Sequence, residues 1–186
     1  MKKLVLIVVA IVAFNHSLSA QEERVTGKAF YAELGGPGVY MSMNFDSRFK
    51  SNERLGLGFR LGAGFGVGDF ENKRYDSQGG IFYYDSYVTR TYYSIPAGLN
   101  YIFGKPNSAH TFEVGAGLTL LTRKVALYYW GGREEENSGN VIGFFTFMYR
   151  LMPVNGGFSF RVGLTPIIGT GGDLLPSGAI GFGYIF

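Results

Sequence analysis

The chain closes on Gly178-Ala179-Ile180-Gly181-Phe182-Gly183-Tyr184-Ile185-Phe186. Side chains of a strand point alternately to its two faces, so Ile180, Phe182, Tyr184 and Phe186 share one face. Ala179, Gly181, Gly183 and Ile185 share the other. The first face is large, apolar and aromatic; the second is mostly bare backbone. A water-soluble sheet turns polar side chains to solvent, and this strand has none to turn. Hydrocarbon suits its large face, and the interior of a narrow barrel suits its small one.

The same alternation runs upstream. Residues 39–46 set Val39, Met41, Met43 and Phe45 against Tyr40, Ser42, Asn44 and Asp46. Residues 55–67 set Leu55, Leu57, Phe59, Leu61, Ala63, Phe65 and Val67 against Gly56, Gly58, Arg60, Gly62, Gly64 and Gly66. That run exceeds the roughly 9–11 residues with which a tilted strand crosses a bilayer. Its glycine face implies an interior crowded by side chains from the opposite wall. Residues 28–35, 91–103, 110–122, 141–151 and 158–168 supply the remaining strands, for a total of eight. In 91–103, Pro96 cannot donate to a ladder and predicts a kink or bulge. In 141–151, apolar residues occupy both faces and the facing stays open. Short connections follow the even strands; longer ones, with projecting hairpins, follow the third and fifth. Even strand number and alternating loop length are the habit of bacterial membrane barrels. The expected fold is all-β, an eight-stranded antiparallel up-and-down transmembrane barrel.

Composition agrees with that class. Glycine at 29 residues and aromatics at 17% are high, while charged residues at 17% are few for a water-soluble domain. No cysteine is present, which excludes disulfides, thiol catalysis and an acylated-cysteine anchor. Residues 1–20 carry a basic start (Lys2, Lys3), an apolar run from Leu4 to Phe14, and Leu18-Ser19-Ala20. The run is too short to span a bilayer and reads as a secretory signal peptide, leaving residues 21–186 as one barrel domain. Setting aside Lys2 and Lys3 leaves 15 basic and 14 acidic side chains, a net of +1. Such a balance gives no footprint for nucleic acid.

Three stretches carry a resemblance: Phe30-Tyr31-Ala32-Glu33-Leu34-Gly35-Gly36, residues 95–104 (Ile95-Pro96-Ala97-Gly98-Leu99-Asn100-Tyr101-Ile102-Phe103-Gly104), and Phe112-Glu113-Val114-Gly115-Ala116-Gly117. They resemble small barrels of Bacteroidetes-type bacteria, and the whole mature chain resembles the eight-stranded outer-membrane protein A/X kind. The terminal Ile180, Phe182, Tyr184 and Phe186 resemble the signature read by the barrel-assembly machinery. The resemblance implies an integral outer-membrane protein of a Gram-negative cell envelope, monomeric, with both termini in the periplasm. Its implied partners are outer-membrane lipid, lipopolysaccharide and the assembly machinery.

Chemistry must come from inside the barrel or from its loops. Inward parity picks Glu33, Arg60, Glu113, Arg150 and Arg161. Glu113, Arg150 and Arg161 fall near the turn-side ends of their strands, and Glu33 and Arg60 higher. Charges in so narrow a lumen must be paired or hydrated, so an internal ion-pair network that plugs the lumen is the first expectation. The alternative is a narrow channel for small solutes or ions through space left by the glycine face. The one mature histidine, His110, falls at a turn on the side away from the loops, where no Ser-His constellation can form with them. No enzymatic activity, cofactor or metal is assigned; the acidic pairs Asp69/Glu71 and Glu134/Glu135/Glu136 lack defined ligand spacing. Tyr93, Tyr101, Phe103, Trp130, Tyr149 and Phe186 mark an aromatic girdle at the two ends of the strands. Phe82, Tyr83, Tyr84 and Tyr87 lie beyond it and offer a surface for an unidentified partner.

Overall fold

The computed structural model describes residues 27–71, 74–75, 81–82, 87–123, 140–169, 172 and 174–186. The expected signal peptide and its boundary at residue 20 lie outside them, as do Trp130, Tyr83 and Tyr84 and the acidic run at 134–136.

Eight long strands form the wall: β1 (Lys28–Gly35), β2 (Met41–Arg48), β3 (Gly56–Glu71), β4 (Tyr87–Gly104), β5 (His110–Leu121), β6 (Val141–Leu151), β7 (Gly157–Leu164) and β8 (Gly178–Ile185). Each pairs antiparallel with the next, and β8 pairs with β1, so the sheet closes. Closure leaves no edge strand, which satisfies the backbone donors and acceptors that an open sheet would expose. At the seam Phe30 lies opposite Tyr184, Ala32 opposite Phe182 and Leu34 opposite Ile180.

The strands are staggered as well as closed. Partners followed from Ala29 run through Asp46, Arg60, Gly98, Gly117, Phe144 and Ile167 to Leu175, yet Ala29 itself pairs with Ile185, ten residues along the same edge. With strands about 4.8 Å apart and a rise of about 3.3 Å per residue, that stagger sets a tilt of about 40° and a backbone radius of about 8 Å.

Several details differ from the sequence expectation. β2 starts at Met41, because Val39 adopts φ 72° and turns its side chain into the interior while Tyr40 turns out. Pro96 creates no bulge: Leu61 pairs with Ala97 and Phe65 with Tyr93, so the register is the same on both sides of it. The closing strand, read from sequence as starting at Gly178, is preceded by a further paired step, since Ile167–Ile168 and Leu174–Leu175 pair and carry β7 and β8 upward. β6, whose facing the sequence leaves open, buries Ile142, Phe144, Thr146, Met148 and Arg150. The outward face carries Leu57, Leu61, Phe65, Ile95, Leu99, Leu118, Phe147 and Phe182, all exposed.

The glycine face of β3 is crowded by neighbouring strands and not by the opposite wall. A Cβ on Gly62 would lie 2.3 Å from Asn44 Oδ1 of β2, and one on Gly66 would lie 2.3 Å from the Tyr92 hydroxyl of β4. Phe144 of β6 lies over Gly98 and Gly117 in the same way. Gly64 is closed by smaller neighbours, Ser94 and Ser42.

Gly117→Ala is expected to destabilise the barrel by about 1–3 kcal/mol, because the added methyl must displace Phe144 and the β4 backbone. Ala116→Leu, on the outward face beside it, meets hydrocarbon and should stabilise the barrel by about 1–2 kcal/mol. Urea unfolding in lipid vesicles reads both.

Candidate functional site

The lumen is layered. At the end with the short turns, Ala29, Tyr31, Ile102, Met152 and Ile185 form a buried apolar cluster, with Leu55 against it. At the end with the long connections, Tyr92, Leu121, Ile142 and Ile167 form another, with Val39 and Leu175 against it. β1 to β7 each contribute an inward charged or amide side chain, Glu33, Asp46, Arg60, Asn100, Glu113, Arg150 and Arg161 in order.

Those side chains are joined. Arg60 Nη2 lies 2.7 Å from Glu33 Oε1, and Arg161 Nε faces Glu33 Oε2 at 3.2 Å without hydrogen-bond alignment. Arg161 Nη2 donates to Glu113 Oε1 at 3.0 Å, and Arg150 Nη1 donates to Glu113 Oε2 at 2.8 Å. Arg150 Nη1 also reaches Asp46 Oδ2 at 3.1 Å, and Asp46 accepts from Arg48 through its other oxygen. Asn100 links Arg48 and Asp46 at 2.8 and 2.6 Å, and Asn44 accepts from Arg60 at 2.9 Å. The two arginines beside Glu33 also lie against the Tyr31 ring, Arg161 Cζ at 4.4 Å and Arg60 Cζ at 5.7 Å from its centre.

The five charges singled out from sequence are therefore brought together. The registers keep Glu33 and Arg60 above Glu113, as the sequence indicates, and Arg161 bridges the two levels by touching both carboxylates. Asp46, Arg48, Asn44 and Asn100 complete the chain. Asp46, Asn44 and Asn100 were legible as inward residues by parity, and Arg48 only continues the alternation of β2 by one further step.

Two further features close the ends. The first connection, Gly36–Gly38, folds inward and is buried. Thr119 of β5 donates to the Pro37 carbonyl at 2.7 Å, and Ser94 of β4 donates to the Gly38 carbonyl at 3.0 Å. A turn between β1 and β2 is thus held from across the lumen. At the other end, Arg54 donates to the carbonyls of Met152, Pro106 and Ser108 at 2.5, 2.8 and 2.6 Å. It ties three turns together, and burial lowers its pKa from the ordinary value. Nothing in its local sequence distinguishes it.

Outside, Tyr93, Tyr101, Phe103 and Phe186 are exposed at strand ends, while Tyr149 is partly covered. Tyr149 meets the Phe112 ring edge-on and hydrogen-bonds His110 Nδ1. Tyr92, two places before Ser94, is an interior residue and takes no part in a girdle. His110 opens β5 at the turn end, exposed. Compared with family models, curated proteins and solved structures, the chain matches none.

Removing one member of a buried ion pair leaves the other uncompensated, at a cost of about 3–5 kcal/mol. Glu113→Ala is expected to cost that much, since Arg150 and Arg161 both lose a partner. Glu53→Ala, which breaks only the exposed pair with Lys50, should cost about 1 kcal/mol or less. The urea midpoints of the two variants check the contrast.

Proposed function

We propose that the protein is an integral outer-membrane barrel with its termini in the periplasm and its lumen closed to solutes. Its role is non-enzymatic: it presents its outer connections to lipopolysaccharide or to a surface partner, and it works as a monomer. One observation carries the reading. The interior holds two apolar clusters with a paired charge layer between them, while the outward face carries large apolar side chains. A water-filled pore inverts neither face but leaves the middle open, and the middle here is occupied by arginine and glutamate bound to each other. Hydrocarbon is the environment in which the outward face costs nothing.

Non-enzymatic action rests on the placing of the chemistry. The carboxylates of the lumen are each paired with guanidinium groups and lie below the inward turn at Gly36–Gly38. His110 sits at the opposite end from the long connections. The resemblance to small barrels of the outer-membrane protein A/X kind supports the location and leaves the surface partner unnamed.

Planar-bilayer recording with the refolded, detergent-purified barrel tests the closed lumen. The expected result is no steady conductance for the wild type. A steady open state in the wild type, lost when Gly62 or Gly64 is replaced by a larger residue, would establish the narrow channel instead.

A further inference from the structure

The lumen ion pairs form an alternating line, Arg60–Glu33–Arg161–Glu113–Arg150–Asp46–Arg48. It begins and ends on arginine, so four guanidinium groups face three carboxylates, an excess of one positive charge along the line; Arg54, also buried, stands apart from it on the turn carbonyls. A guanidinium cannot shed its proton in a protein, so the excess cannot be removed by titrating an arginine. Left alone in a low-dielectric interior it is costly.

The two ends of the line differ. At one, Arg48 donates to the Gly56 carbonyl at 2.9 Å, to Asn100 and to Asp46. At the other, Arg60 uses Nη2 alone, for Glu33 and Asn44. Its Nε and Nη1 are buried and have no partner, and the same is true of Arg161 Nη1 and the Tyr31 hydroxyl. These donors share a neighbourhood. Both guanidinium groups engage Glu33 and both lie against the Tyr31 ring, while the Phe144 ring lies 5.7 Å from Arg60 Cζ. The inward turn sits over them, close enough that a Cβ on Gly36 would lie 3.3 Å from Glu33 Oε1.

The geometry points to a buried site for one small monovalent anion, of the halide class, at the Arg60 end of the line. Arg60 supplies one of its two free donors, Nε or Nη1, whose N–H bonds diverge, with Arg161 Nη1 and the Tyr31 hydroxyl as further donors. One negative charge balances the line. A divalent oxyanion would overshoot it and would need room that an eight-stranded lumen filled by its own side chains does not have. A water molecule could accept the same hydrogen bonds and would leave the charge uncompensated. The inference rests on the closed-lumen reading, since bulk solvent in an open pore would screen the excess.

Bromide is the probe. In crystals of the refolded barrel grown in bromide, an anomalous difference peak is expected in contact with Arg60 and Arg161. In solution, the midpoint of heat-induced loss of the compact barrel should fall when chloride is replaced by gluconate at equal ionic strength. Arg60→Met leaves three guanidinium groups against three carboxylates and should abolish that shift. Absence of the wild-type bromide peak overturns the proposal, as does a shift retained in Arg60→Met; should that variant fail to fold, the bromide crystals decide alone. A silent bilayer without a bromide peak sinks only the anion site, whereas a conducting one without a peak sinks the closed lumen as well.

Discussion

Closure of eight strands at a stagger of ten residues is the constraint from which the interior follows. Strand number and stagger together set tilt and radius, here about 40° and about 8 Å. Two side chains meeting from opposite walls already fill such a lumen. Every inward position is therefore negotiated with its neighbours. Gly62 yields to Asn44, Gly66 to Tyr92, and Gly117 to Phe144. Small residues are the complement of the large ones beside them, and substitution at either member disturbs both.

The same confinement governs the charges. Three carboxylates and four guanidinium groups lie between two apolar clusters, where each must find a partner. An alternating line lets each inner member meet two opposite charges. The line also ties together strands far apart in sequence: Arg60 of β3 joins Glu33 of β1, and Arg150 of β6 joins Asp46 of β2. A one-residue slip of β5 would carry Glu113 to the outer face and Phe112 into the lumen, so the buried charges oppose any shift of register. Stability and a unique arrangement are served by the same contacts.

Parity was legible in the sequence because it depends on one residue at a time. Ile180 and Phe182 read outward, and Glu113 and Arg161 inward, without knowledge of any neighbour. The bridging of Glu33 and Glu113 by Arg161 was not legible, since it depends on the stagger of every strand between them. Val39 escaped for a local reason: its left-handed backbone ends the alternation that its apolar side chain continues on paper. Pro96 misled in the opposite direction. Its missing donor costs the ladder locally and leaves the register of β3 and β4 intact. β6 could not be assigned because Phe144 and Phe145 are equally apolar, and only the glycines opposite Phe144 decide which of them fits inside.

Interstrand nuclear Overhauser contacts across the β1–β8 seam, measured on the barrel in lipid nanodiscs, test the closure and its stagger most directly. Contacts joining Phe30 to Tyr184, Ala32 to Phe182 and Leu34 to Ile180 are expected. Their absence would contradict closure. Contacts displaced along β8, joining Ala32 to Ile180 or to Tyr184 in place of Phe182, would contradict the stagger and with it the line of lumen ion pairs.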